Sequence, residues 1–201
     1  MKEADRMAKG PKGFTDAEKD DLRTKLCVEC ERSWALHGYK KTSVGELAAK
    51  IGISTGAFYL LYSAKEDLFC ETLERVQTRL KTGLRDIISH EGGKVGFIKA
   101  MKWHFEEYDR FPFLYDFGTP DFLSFLNKLP KDRVEKLEFD SVSFFYETIE
   151  LANLTLKVNK EKAHATISTL LYTVSIKEWV NYDHFEVFDF LLNSVVDRLF
   201  E

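Results

Sequence analysis

Apolar residues recur at three- and four-residue spacing through nearly every long segment of the chain, and strand-like alternation is scarce, so the pattern predicts an almost entirely helical protein. Between Lys40 and Phe69 the rhythm breaks into short pieces: KKTSVGELAAKIGISTGAFYLLYSAKEDLF. Val44, Leu47, Ala48 and Ile51 share one helical face, and Thr42-Ser43 ahead of them, with Glu46 three residues after Ser43, forms a capping box where this helix begins. Gly52 supplies the turn and Ile53 plugs the corner. Ser54 caps a second short helix, Thr55 to about Leu60, which buries Ala57 and Phe58 and turns Thr55, Gly56 and Tyr59 outward. Ser63 with Glu66 repeats the capping box and starts a long helix carrying Leu68, Phe69 and Leu73, with Lys65 in its first turn. Two short helices, a tight turn and a third helix start make a helix-turn-helix.

The second half of the chain is crowded with rings: Phe97, Trp103, Phe105, Tyr108, Phe111, Phe113, Tyr115, Phe117, Phe122 and Phe125. Phe97, Met101, His104, Phe105 and Tyr108 follow one helical face, after which Phe111-Pro112 and Thr119-Pro120 break the chain into short pieces ending near Lys128. A further helix is expected from about Asp132 to Leu154, with Leu137, Val142, Phe145, Tyr146 and Ile149 on its apolar face. Two last helices follow. One runs from about Lys160 to Val180 with Ile167, Leu170, Leu171 and Val174, the other from about His184 to Phe200 with Phe188, Leu191, Leu192, Val195, Val196 and Leu199. The stripe of the second is wide enough to cover the core and also meet a partner, and a two-fold pair of such hairpins would make a four-helix bundle.

The helix-turn-helix, preceded by an amphipathic helix ending in Trp34-Ala35-Leu36-His37-Gly38-Tyr39, resembles the N-terminal domain of TetR-family (TetR/AcrR-like) transcriptional regulators. The resemblance runs over roughly residues 16 to 75 and rests on Gly38-Tyr39, Thr42-Ser43, Leu47-Ala48, Gly52-Ile53-Ser54, Gly56, Tyr59 and Lys65-Glu66 in the family's order and spacing. It implies that the second short helix enters the DNA major groove. Thr42 or Ser43 and Tyr59 would hold phosphates, Lys65 would contact phosphate at the next helix start, and Thr55 and Gly56 would lie nearest base edges. Ser54, Leu61 and Tyr62 complete the candidate DNA-binding set. The chain departs from the family at Leu60 and Leu61, where relatives often carry polar residues or His: one leucine packs into the domain while the other touches a thymine methyl or lies near the backbone. Ala64 also replaces a common Ser, so Ser63 is expected to take over the cap.

The resemblance further implies two all-α domains: residues 1–65, an N-terminal arm and DNA-binding domain, and residues 66–201, a larger helical domain for ligand binding and dimerisation. The boundary is expected inside the long helix that starts near Ala64. A helical box with aromatic walls would hold a small lipophilic or aromatic effector, and its candidate lining is Trp103, His104, Phe105, Tyr108, Phe111, Phe113, Tyr115, Phe145 and Tyr146. Leu170, Val174, Phe188, Leu191, Leu192, Val195 and Leu199 are the candidate dimer contacts.

Charge refines this picture without deciding it. The net charge is −4, yet residues 1–65 hold 12 Lys and Arg against 9 Asp and Glu, so the basic end coincides with the helix-turn-helix. Residues 1–13, with Lys2, Arg6, Lys9 and Lys12, read as a loose arm. Glu106, Glu107, Asp116 and Asp121 read as solvated. Cys27 and Cys30 form a C-x-x-C in mid-helix at core spacing and, with Cys70, lack the second pair or nearby His of a zinc site; the five histidines are scattered. No cofactor or metal is expected. No paired carboxylates, activated nucleophile or phosphate loop suggests an enzyme, and neither a signal peptide nor a run of about 18 apolar residues is present, so the chain reads as soluble and cytoplasmic. The expectation is a one-component regulator, a repressor that binds a palindromic operator as a homodimer and is released by its ligand. The alternative is a ligand-independent DNA-binding structural or assembly protein of the same fold.

Overall fold

In the computed structural model, which describes residues 14–115, 117–137 and 140–201, the chain is built from α-helices, with one isolated bridge between Leu156 and Phe200. The basic arm at residues 1–13 and Asp116 lie outside the described residues. α1 (Asp16–Lys41) opens on a full capping box: the Thr15 hydroxyl accepts from the Glu18 N–H, and the Glu18 carboxylate accepts from the Thr15 N–H at 2.7 Å. It buries Leu26, Cys27, Cys30 and Trp34, then breaks at Gly38, where φ is 77° and ψ is 173°, so that Tyr39 turns into the core. α2 (Val44–Lys50) and α3 (Thr55–Phe58) begin where their serines predict: the Ser43 and Ser54 hydroxyls accept from the Glu46 and Ala57 N–H groups at 3.2 and 3.1 Å. α3 is shorter than the expected span to Leu60. The N–H groups of Leu60 and Leu61 donate to carbonyls three residues back, which tightens the chain after Phe58 into a turn.

α4 (Lys65–Glu91) corrects the expected cap. Ala64, in extended conformation, is the capping residue, and its N–H donates to the Asp67 carboxylate at 3.1 Å; Ser63 stays exposed outside the helix, and Glu66 instead accepts from the Tyr39 hydroxyl. This one helix runs through two apolar cores. Its first turns, Leu68 to Val76, close over α1 to α3 together with Phe111, Phe113, Leu114, Phe122 and Phe125. Its later turns, Leu80 to Ile88, join α5 (Gly93–Arg110), α8 (Ser141–Leu151), α9 (Lys160–Tyr172) and α10 (His184–Leu199). α4 and α5 approach closely at Gly83, where any side chain would overlap the Trp103 ring.

Between α5 and α8 lie a 3-10 turn at Pro112–Leu114, α6 (Pro120–Leu126) and α7 (Lys131–Leu137). The single helix expected from Asp132 to Leu154 is therefore two, and α8 restarts where the Asp140 carboxylate accepts from the Ser143 N–H at 2.9 Å. The helix expected to reach Val180 ends at Tyr172 and continues as a 3-10 stretch, Thr173–Trp179. There the Thr173 and Ser175 hydroxyls each donate at 2.7 Å to the carbonyl three residues back, competing for groups that an α-helix would use.

Candidate nucleic-acid interface and apolar cavity

One exposed surface gathers the ends of the short helices. Ser43, Ser54, Thr55, Gly56 and Tyr59 are all exposed, and Leu60, at 70% exposure, stands beside Tyr59. The choice between the two leucines is thereby made: Leu61 packs into the core and Leu60 faces outward. Leu61 and Tyr62 leave the candidate DNA-binding set because their side chains are buried, the Tyr62 hydroxyl donating to Glu71 at 3.0 Å under the Arg23 guanidinium. Thr42 leaves it as well, since its buried hydroxyl donates to the Gly38 carbonyl at 2.8 Å and serves the break in α1. Lys65 is engaged inward. Its ammonium donates to the Tyr39 carbonyl at 2.5 Å and lies 4.1 Å above the Tyr39 ring, and burial lowers its pKa. Gly45 is exposed, and a methyl there would stand 4.0 Å from the Thr55 hydroxyl, so packing does not demand glycine.

The break in α1 is held from the other half of the molecule. Asp121, at the start of α6, accepts from the Tyr39 N–H at 2.5 Å and the Lys40 N–H at 3.0 Å. Asp121 is thus a backbone clamp and not a solvated charge, a role no local pattern signals. Glu107 is buried as well, paired with Arg110 at 2.7 Å and Arg79 at 3.5 Å, whereas Glu106 is exposed as expected.

The same helix α6 walls a cavity. A space of about 410 Å³ is lined by Leu73, Leu80, Leu114, Phe122, Leu126 and Leu137, among others, and meets a second lobe of about 60 Å³ at Tyr108, Ser141 and Tyr172. Its size is that of small-molecule sites. Of the rings expected in its wall, His104, Tyr108 and Phe145 line it. The others are placed elsewhere. Phe111 and Phe113 belong to the core around α1, with Phe113 stacked 4.4 Å from Trp34; Phe105 lies flat on Phe188 at 3.9 Å; Trp103 covers Gly83. Tyr115 packs 5.4 Å from Tyr108, and Tyr146 lies 5.1 Å below the Lys160 ammonium. Each satisfies a local core, which helical spacing alone cannot distinguish from a cavity wall.

Residues 30–72 match the family model of bacterial regulatory proteins, tetR family, over the helices that carry the exposed surface. Over these residues the chain is similar to the helix-turn-helix part of tetR-family regulatory proteins. The whole chain has the fold of TetR-family regulators. A TetR family transcription regulator from Marinobacter aquaeolei superposes with a TM-score of 0.63 at 19% identity, covering 93% of this chain and 100% of that one. A putative transcriptional regulator from Saccharomonospora viridis, in complex with choline, gives 0.62 at 13% identity, covering 90% and 99%. The fatty acid degradation regulator FadR from Bacillus halodurans gives 0.58 at 16%, covering 94% and 96%. A comparison with curated proteins gives no match.

In the C-terminal helices, most of the residues expected at a dimer contact turn inward. Val174, Phe188, Leu192 and Leu199 are almost fully buried in the chain's own core, Leu170 is buried, and Leu191 and Val195 are half-buried. Among the large apolar side chains left exposed are Ile176, Trp179, Tyr182 and Phe190, with Trp179 86% and Phe190 72% exposed. Phe190 lies off the dominant stripe of α10, which is the signal that the stripe itself conceals. The three cysteines are buried and unpaired, and burial pushes their thiols above the ordinary range. Among the described residues no helix is long and apolar enough to cross a membrane.

Proposed function

We propose that the chain is a homodimeric one-component repressor that binds a palindromic operator and is released by a small lipophilic molecule in the cavity. The observation that carries this reading is that α6 serves both ends: Phe122 and Leu126 line the cavity while Asp121 holds the end of α1. A ligand that shifts α6 therefore acts on the helix-turn-helix directly, besides any tilt of α4. In this reading residues 1–65 bind DNA and residues 66–201 bind ligand and partner, with the boundary inside α4. Ser43 and Tyr59 meet phosphates, Ser54, Thr55 and Gly56 lie at the groove, and Leu60 meets a thymine methyl. A ligand preferring the arrangement unsuited to two successive major grooves, roughly 34–36 Å apart, lowers operator affinity by its preference ratio. A coupling of about 1–3 kcal/mol corresponds to a change of about 5- to 150-fold. The unfilled cavity, and the choline complex of the Saccharomonospora viridis protein, favour a ligand-responsive protein over a ligand-independent assembly protein.

Selection of bound duplexes from a randomised pool at moderate salt tests the reading. One inverted repeat should be enriched, and Tyr59→Ala should weaken its binding by about tenfold or more, because Tyr59 is exposed and its loss leaves the core intact. No enriched repeat would refute the operator.

The partner surface is tested separately. In this reading Ile176, Trp179, Tyr182 and Phe190 face a second copy, so Phe190→Glu, which would place an unpaired charge in that contact, should convert a dimer into a monomer in sedimentation velocity. A variant that remains dimeric would put the contact elsewhere.

A further inference from the structure

Several polar side chains around the cavity are already bonded within the chain. Gln77 donates to the Leu137 carbonyl at 3.2 Å, Thr148 donates to the Phe144 carbonyl at 2.7 Å, and Ser168 and His164 bond each other at 3.3 Å. His104 differs. It is 6% exposed, lines the small lobe, and its Nε2 is buried without a hydrogen-bond partner. Buried polar atoms are normally satisfied, and one left open beside an unfilled space points to a group that the space receives. The described lining of both lobes holds no Asp, Glu, Lys or Arg.

We propose, building on the reading of the chain as a ligand-released regulator, that the cavity takes an uncharged, elongated apolar molecule whose single hydroxyl or carbonyl oxygen hydrogen-bonds His104 Nε2. The apolar body fills the larger lobe against Leu73, Leu80, Phe122 and Leu126, and the oxygen reaches past Tyr108 into the small lobe. A neutral imidazole nitrogen suits either oxygen, donating to a carbonyl or accepting from a hydroxyl according to its tautomer. Complete burial pushes the His104 pKa down to about 3, so at neutral pH the ring is no counter-charge for a carboxylate. A carboxylate or ammonium in the apolar lobe would surrender its hydration for no partner of opposite charge. A hydrocarbon without the oxygen would leave Nε2 unpaired, as it is without a ligand.

The test uses 1,6-diphenylhexatriene, an elongated fluorescent hydrocarbon, displaced from the full chain by four competitors built on a ten-carbon chain, the charged ones below their micellar range. 1-Decanol and 2-decanone should displace it, with decanoate and decyltrimethylammonium each at least about tenfold weaker. His104→Phe and His104→Leu, two apolar replacements of which either suffices if the other fails to fold, should retain the fluorophore and weaken decanol and decanone by about tenfold. Charged competitors that match the alcohol, variants that bind decanol as wild type does, or a wild type that binds neither fluorophore nor alcohol would each overturn the assignment. Operator affinity measured with the same molecules separates it from the regulatory reading. Decanol that binds without changing operator affinity refutes regulation and leaves the assignment standing; decanoate that releases the operator as well as decanol does refutes the assignment and leaves regulation standing.

Discussion

Replacing Trp34 with alanine is expected to cost about 3–5 kcal/mol of folding stability, the largest loss of any single truncation considered, measured as a fall in urea midpoint at unchanged slope. The indole is 3% exposed and lies among four phenylalanine rings, with centroids at 4.4 Å to Phe113, 4.7 Å to Phe69, 5.3 Å to Phe125 and 5.9 Å to Phe122. These rings come from α4, from the 3-10 turn at Pro112–Leu114 and from α6, so the void left by alanine has walls on three separate segments that cannot all collapse into it. The loss therefore includes a cavity contribution as well as the transfer of the ring. A cost below about 1 kcal/mol would mean that the segments close over the gap, and that the aromatic cluster is not what joins α1 to them.

The second large effect is expected at Gly38, where alanine should cost roughly 2–4 kcal/mol. With φ at 77° and ψ at 173°, this residue lies in a backbone region that is essentially reserved for glycine. A methyl group there would also stand 2.6 Å from the Asp121 carboxylate oxygen that accepts the Tyr39 N–H. The side chain thus faces two penalties at once: it strains its own backbone and pushes out the acceptor that satisfies two N–H groups. Asp121→Ala should lose only the second part, about 1–3 kcal/mol. Because both substitutions break the same contact, the double variant should cost less than the sum of the singles. Additive losses in denaturant titrations would show that Asp121 does not hold the break.

The elements governed by neighbouring residues were legible before any coordinates. Ser43, Gly52 and Ser54 mark their turns because a cap or a left-handed residue acts within three or four positions, and the apolar face of α1 through Leu26, Cys30 and Trp34 lies in the core as its spacing requires. The candidate DNA surface was half legible. Thr55 and Gly56 are outward as the period of α3 demands, and so is Tyr59 at its cap, but the helix ends at Phe58, so nothing local told Leu60 from Leu61. Ala64 displaced the Ser63 cap because Asp67 satisfies the helix end from inside, an option that a serine in the adjacent position obscured. The ring-rich segment was misread for a different reason. Phe111 and Phe113 look like any amphipathic pair, and only the long-range approach of Trp34 decides that they close the core around α1 and not the cavity. Asp121 and the open nitrogen of His104 carry no sequence signal at all, since both are defined by what does or does not come near them.

The Phe111–Leu126 segment, far along the chain, supplies part of the core that supports the helix-turn-helix. Modularity in this protein therefore does not follow the order of the chain. A chimaera cut within α4, joining this helix-turn-helix to the C-terminal half of a relative, would strip Trp34, Tyr39 and Phe69 of the rings they pack against unless residues 111–126 travelled with it. Leu114, Phe117, Phe122 and Leu126 of this segment line the cavity, so a helix-turn-helix transplanted with its support carries part of the cavity too. Under the proposed function, what the molecule detects and what it reads cannot drift independently in such a design, and exchange of specificity would proceed by substitutions inside the cavity more readily than by recombination between the halves.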